Sequence, residues 1–117
     1  MMIAANPILQ WGGLTFNCHS YEVSWHEKDI DLTPTELYVI KYFMTNPASL
    51  VTVMELIENV RDRDQRLVWP ADKVLPTEFT IRTHVNNLRN RFKAAGAPDP
   101  IERKRGMGYR LSRRLKS

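Results

Sequence analysis

The apolar spacing between Thr77 and Ala95 constrains the fold of this chain more than any other feature. Ile81, Val85, Leu88 and Phe92 recur at helical intervals, so they form one apolar stripe along an α-helix. The opposite face carries polar and basic side chains: Arg82, Thr83, Asn86, Asn87 and Asn90, with Arg89, Arg91 and Lys93 along the flanks. Amide and guanidinium groups opposite a buried stripe suit a DNA major groove. An ordinary solvated helix is the alternative, although such faces usually mix both charge signs.

The charge distribution of the chain favours a polyanionic partner. The 117 residues indicate one domain with a net charge of +4. From Thr80 to Ser117, eleven Lys and Arg residues stand against only Asp99 and Glu102. This asymmetry indicates nucleic acid or an anionic membrane surface, but the basic tail is too short to act as a membrane anchor alone. With one cysteine, Cys18, and no long apolar run, we expect a cytoplasmic protein without disulfides or membrane spans.

Two kinds of element precede the organising helix. Short alternating runs between Ile8 and Leu32 predict a small antiparallel sheet of three or four strands. The sequence Thr33-Pro34-Thr35-Glu36 predicts the start of a first helix, with Leu37, Ile40, Phe43 and Met44 in its buried stripe. A second capping pattern, Thr52 to Glu55, starts another helix. The charged segment Arg61–Pro76 then predicts a long surface loop, which is often a functional feature.

A basic β-hairpin is predicted after the organising helix. Ile101–Arg105 and Tyr109–Leu111 flank a Gly-Met-Gly turn, whose glycines suit positive φ. The tip is basic and includes Arg103, Lys104 and Arg105. Arg105 is placed to enter a narrow minor groove.

The sequence gives little sign of catalysis. No His, Cys, Asp and Glu spacing resembles a zinc site, and half of a dinucleotide fingerprint precedes a strand instead of a helix. We therefore expect no enzyme activity, no metal and no cofactor. The element order predicts an α+β fold, a winged helix-turn-helix over residues 8–114, with flexible ends at 1–7 and 115–117.

Four motifs in this order resemble the DNA-binding effector domain of OmpR/PhoB-type response regulators. They are Leu32-Thr33-Pro34-Thr35-Glu36-Leu37, Asn46-Pro47, Thr83-His84-Val85-Asn86-Asn87-Leu88-Arg89 and Arg105-Gly106-Met107-Gly108-Tyr109-Arg110. The resemblance implies a four-stranded N-terminal sheet, a three-helix core and a hairpin wing. It also implies transcriptional control in a two-component phosphorelay, with a chain that is monomeric alone and pairs on DNA.

The resemblance also implies residue roles. Base reading would fall to the positions of Arg82, Thr83, Asn86 and Asn87, to which the exposed face adds Asn90. DNA-backbone contacts would fall to His84 and Arg89, with Arg91 and Lys93 beside them. The wing contacts would be Arg103, Lys104, Arg105 and Tyr109, although the Tyr109 ring could equally pack in the core.

Two departures from the family pattern are informative. Asn86 and Asn87 occupy positions where the family often has Arg, so we expect a site rich in A and T. The Arg61–Pro76 loop is longer than expected and carries Arg61, Arg63 and Trp69, which suggests a protein partner such as RNA polymerase. An interaction module that works through this loop with little specific DNA binding is the alternative function.

Overall fold

The computed structural model describes residues 7–63 and 78–116, without the side chains of 60–63 and 78–80. Within these ranges the chain forms an N-terminal antiparallel sheet, three helices and a C-terminal β-hairpin. The predicted α+β winged helix-turn-helix is therefore confirmed.

Four short strands form the N-terminal sheet in chain order: β1 (Ile8–Trp11), β2 (Leu14–Asn17), β3 (Glu22–Trp25) and β4 (Lys28–Ile30). His26 and Glu27 connect the last two strands with φ of 48° and 69°, as a two-residue turn of type I′ requires. The alternation predicted from the sequence places Leu14, Phe16 and Val23 in the core.

The three helices are α1 (Pro34–Thr45), α2 (Val53–Arg63) and α3 (Glu78–Ala94). The first begins with the predicted capping box, because the Glu36 N–H donates to Thr33 Oγ1 and the Thr33 N–H donates to Glu36 Oε1. It ends at Asn46, before a proline. Its buried stripe differs from the prediction at one position, since Leu37 is half-buried and Val39 is fully buried.

The second helix begins at its predicted capping box and extends further than predicted. The Glu55 N–H donates to Thr52 Oγ1 over 3.1 Å. The prediction that a loop starts at Arg61 was wrong, because α2 continues through Arg63. Loss of apolar periodicity does not stop a helix where no Gly or Pro follows, and the next Pro is Pro70. The rest of the predicted loop, residues 64–76 with Trp69, lies outside the described residues.

The third helix buries the stripe predicted for it. Its four apolar members are each 0% exposed: Ile81, Val85, Leu88 and Phe92. The chain leaves the helix through Gly96, which has a φ of 81°. The Ala97 N–H donates to the Phe92 carbonyl over 2.9 Å, which closes the helix end as a Schellman motif does.

The hairpin is attached to the segment before α2. Its strands are β5 (Ile101–Lys104) and β6 (Gly108–Leu111). Val51 and Tyr109 exchange backbone hydrogen bonds of 2.6 and 2.8 Å. Gly108 has a φ of 142°, and a Cβ there would lie 2.3 Å from the Val51 carbonyl oxygen. A glycine at residue 108 therefore permits the close approach between the hairpin and this segment.

A 3₁₀ helix, Arg113–Lys116, closes the chain against β1. Leu115 is 0% exposed, and its carbonyl accepts a hydrogen bond from the Gly13 N–H. Trp11 Nε1 donates to the Ser112 carbonyl over 2.8 Å. The core thus extends to Leu115, one residue beyond the predicted domain boundary at 114. The two basic residues before Leu115 resemble a solvated tail in the sequence, but the apolar side chain that follows them is buried.

Replacing Leu115 by Ala should lower the free energy of unfolding by about 2–5 kcal/mol, because the exchange removes a fully buried side chain. Urea denaturation measures this change. Arg114→Ala, at an exposed neighbour, is the control and should change stability by roughly 0.5 kcal/mol or less. Equal stability of the two variants would contradict a core role for Leu115.

Candidate nucleic-acid interface

The outward face of α3 presents a row of small polar side chains. Thr83, Asn86, Asn87 and Asn90 are all exposed, as the position of the buried stripe requires. An Asn amide offers a donor and an acceptor together, which is the pattern that a base edge in the major groove can pair with. Arg82 is half-buried and lines a cleft toward the hairpin. The residues predicted to read bases thus lie along one side of α3.

Arg89 is held by Asp99 in a bidentate ion pair. Its Nε lies 3.0 and 3.1 Å from the two carboxylate oxygens, and a terminal guanidinium nitrogen lies 2.8 Å from Oδ2. Asp99 Oδ1 also accepts a hydrogen bond from the Ile101 N–H. The hydrogen bonds to Asp99 raise the pKa of Arg89. This pair connects α3 to the base of the hairpin and leaves the Arg89 side chain 28% exposed.

Arg91 is paired with a buried carboxylate. Its Nε lies 2.8 Å from Glu36 Oε1, and the Glu36 side chain is only 1% exposed. A buried carboxylate requires a charged or hydrogen-bonding partner, so Arg91 has a structural task. Its side chain nevertheless remains 45% exposed. Lys93, the next predicted backbone contact, is exposed.

His84 is half-buried near the same carboxylate. Burial lowers the pKa of His84 below its ordinary value of 6.5, and the charge of Glu36 opposes this shift. The imidazole is therefore neutral near pH 7. In that state it can offer an N–H to a phosphate oxygen but no full charge.

The hairpin tip is basic and exposed. Arg103, Lys104 and Arg105 are all exposed, and the Met107 N–H donates to the Lys104 carbonyl to close the turn. Tyr109 is only 5% exposed, so the structure places its ring in the core, which was one of the two alternatives.

The acidic residue of the hairpin is neutralised within the hairpin itself. Glu102 Oε1 lies 2.9 Å from a terminal nitrogen of Arg110, and Glu102 Oε2 accepts a hydrogen bond from the Arg113 N–H. Arg110 and this backbone N–H hold the pKa of Glu102 below its ordinary value. Among the described residues of the hairpin, no acidic side chain is then left to compensate the positive charge of the hairpin tip.

A cleft of about 230 Å³ joins α2, α3 and the hairpin. It is lined by Thr52, Val53, Met54, Arg82, Arg103, Lys104, Gly106, Met107, Gly108 and Tyr109. The start of α3 and the hairpin are therefore neighbours on one side of the domain. Arg61 and Arg63, predicted as protein contacts, belong to the end of α2, and their side chains lie outside the described part.

Three features of this interface were not expected from the sequence: the Glu36–Arg91 pair, the Asp99–Arg89 pair and the Val51–Tyr109 bridge. Glu36 was recognised only as a helix cap, and no local spacing links it to α3. Within the described ranges, no helix is long and apolar enough to cross a membrane. In the same ranges, no cluster of three His, Cys, Asp or Glu residues could hold a metal ion.

Replacing His84 by Asn should reduce the loss of stability as the pH falls below 6.5. The folded-state pKa is lowered, so the unfolded chain takes up the proton first and acid favours unfolding. Denaturation at pH 7 and pH 5 measures the difference, with His19→Asn at an exposed turn as the control. A pH dependence that is identical in the wild type and His84→Asn would contradict the assignment.

Comparison with known proteins relates the chain to transcriptional regulators. The family described as "Transcriptional regulatory protein, C terminal" matches residues 27–111. Protein RcaC of Microchaete diplosiphon is 32% identical over 106 residues, which are 90% of this chain and 15% of RcaC. The phosphate regulon transcriptional regulatory protein PhoB of Shigella flexneri is 30% identical over 115 residues, 97% of this chain and 45% of PhoB. The chain thus spans less than half the length of these relatives.

A solved structure shares the fold. The DNA-binding domain of the response regulator AdeR, solved in complex with an intercistronic region, superimposes with a TM-score of 0.70 at 24% identity. The match covers 89% of this chain and 97% of that domain. The family match favours transcription regulation over the alternative of an interaction module. This chain belongs to the family of C-terminal domains of transcriptional regulatory proteins, and the resemblance to OmpR/PhoB-type effector domains is confirmed.

Proposed function

We propose that this domain binds double-stranded DNA with sequence preference and thereby regulates transcription. The observation that carries the proposal is the cleft shared by α3 and the hairpin, lined by Arg82, Arg103 and Lys104. In this cleft Arg82 of α3, which precedes the exposed polar residues of the helix, lies beside the basic hairpin on one side of the domain. The duplex has a major groove that admits a helix and a neighbouring minor groove that attracts basic side chains.

In this arrangement α3 enters the major groove and the hairpin acts as the wing in the adjacent minor groove. Asn86, Asn87 and Asn90 face base edges, together with Thr83 and Arg82. Arg105 at the exposed tip enters the minor groove. Base discrimination and overall affinity then come from different elements, since amides read bases and cations neutralise phosphates.

The two arginines of α3 that form ion pairs, Arg89 and Arg91, are also suited to contact DNA phosphates. Arg89 and Arg91 keep 28% and 45% of their side chains exposed while an internal carboxylate fixes each guanidinium. A fixed guanidinium loses less conformational entropy on binding than a free one. Because their charge is partly compensated, the hairpin and Lys93 supply more of the long-range attraction, and His84 offers an uncharged N–H.

We further propose that the domain is the output part of a two-component response regulator and acts in the cytoplasm, where bacterial chromosomal DNA lies. The relatives are longer than this chain, which leaves room in such a regulator for a receiver domain. RNA polymerase is a proposed partner of the Arg61–Pro76 segment, and pairing of two copies on DNA is proposed from the resemblance.

Replacing Arg105 by Ala should weaken binding to an A/T-rich duplex and lower the slope of log K against log salt by about 0.9, the share of one neutralised charge. Fluorescence anisotropy across a salt series measures both quantities. Lys41→Ala, which removes a charge beside Tyr21 on the sheet side, is the matched control and should leave both nearly unchanged. No wild-type binding even at low salt would overturn the proposed function.

Selection from a random double-stranded library should return sites rich in A and T, because Asn pairs with adenine in the major groove. Replacing Asn86 or Asn87 by Arg should shift the selected base to guanine at one position, with a preference of about 1–3 kcal/mol. Glu58→Gln, at an exposed position on α2, is the control that keeps the original site. Guanine-rich sites from the wild-type domain would contradict the assignment of these residues.

A further inference from the structure

Two large apolar side chains of the described residues, both methionines, are exposed on the surface of the domain. Met54 and Met107 are each 62% exposed, and they are the exposed large apolar side chains within residues 7–59 and 81–116. Met54 lies in the first turn of α2, and Met107 lies at the hairpin tip between Gly106 and Gly108. Single exposed apolar residues are common on protein surfaces and need no explanation by themselves. These two, however, are not scattered.

Both methionines line the same cleft, from different elements of the fold. The cleft contains Met54 on its α2 side and Met107 on its hairpin side. The same cleft is lined by the cations Arg82, Arg103 and Lys104, and its lining residues in the described part of the chain include no acidic one. The cleft therefore combines two flexible apolar side chains with a basic wall. Met adapts its shape to irregular apolar surfaces more readily than branched side chains do.

This combination matches the chemistry of a nucleic-acid strand better than that of a protein segment. Each nucleotide presents an anionic phosphate next to the apolar carbon face of a deoxyribose. A basic wall complements the phosphate, and apolar side chains beside that wall complement the sugar. An acidic peptide would also find the cations, but it does not repeat an apolar face beside every charge.

We propose that Met54 and Met107 form an apolar clamp on one DNA strand that passes through this cleft. The two thioether side chains pack against deoxyribose faces, while Arg103 and Lys104 neutralise the phosphates between them. Resting on the DNA binding proposed above, this inference assigns part of the affinity to apolar contact that salt does not screen. Met107 thus adds to the wing an apolar contact beside the charge of Arg105.

The test separates apolar contacts from charge contacts by their salt dependence. Met54→Gln and Met107→Gln keep the side-chain length but remove its apolar character. Each should raise the Kd for a labelled duplex about three- to ten-fold at every salt concentration, with an unchanged salt slope. Lys104→Gln should instead lower the slope by about 0.9. Thermal unfolding of the same variants establishes that the folded state is retained.

Two controls make the result specific to deoxyribose. Met54→Leu and Met107→Leu keep an apolar side chain and should bind DNA with a Kd within about two-fold of the wild type. Inorganic polyphosphate carries phosphates without sugars and displaces labelled DNA from the protein. The Kd of polyphosphate obtained from this competition should be the same for the wild type and the Gln variants.

The outcomes distinguish the clamp from the proposed function. If the wild type binds DNA with a steep salt slope but both Gln variants bind with unchanged Kd, the clamp is refuted and DNA binding stands. Such a result would leave the methionines as contacts for a protein. If the Gln variants lose polyphosphate affinity as strongly as DNA affinity, the sugar contact is also refuted. No DNA binding by the wild type would refute the proposed function, and the clamp with it.

Discussion

The burial of one side of α3 determines the rest of the molecule. Four fully buried apolar side chains hold this helix against α1 and α2, which fixes its rotation about its own axis. A rotation by one residue, about 100°, would expose part of this stripe and bury an amide without a partner. The direction of Asn86 and its neighbours is thus decided by side chains that never reach the surface.

Two carboxylates then restrict the position of α3 along its length. Glu36 belongs to the start of α1 and pairs with Arg91, whereas Asp99 belongs to the turn before β5 and pairs with Arg89. The two arginines are two positions apart and so point to different sides of the helix, and each pairs with an element distant from the other in the chain. The Lys28 ammonium group also donates to the Ala95 carbonyl and stabilises the C-terminal end of the helix. Charged side chains that the sequence suggests are ordinary surface residues therefore form ion pairs and hydrogen bonds that connect α3 to other elements.

Local patterns could predict the elements of this fold but not the links between them. The capping boxes at Thr33 and Thr52, the stripe of α3 and the glycines of the hairpin are short-range signals, and the structure confirms them. Glu36–Arg91 and Val51–Tyr109 join residues more than fifty positions apart, so no periodicity can reveal them. The end of α2 was misplaced because helical hydrogen bonds continue after an apolar pattern stops.

The bridge between Val51 and Tyr109 has a mechanical consequence. It exchanges two hydrogen bonds between the hairpin and the segment that leads into α2, and the glycine at 108 allows the backbones to lie close together. The base of the hairpin is therefore attached to the segment before α2, which restricts its movement relative to the helices. In the proposed complex, a duplex held between α3 and the hairpin would meet a gap whose width is restricted by this bridge. Any mismatch in groove width must then be taken up by bending or twisting of the DNA, so the stiffness of a sequence would count toward recognition.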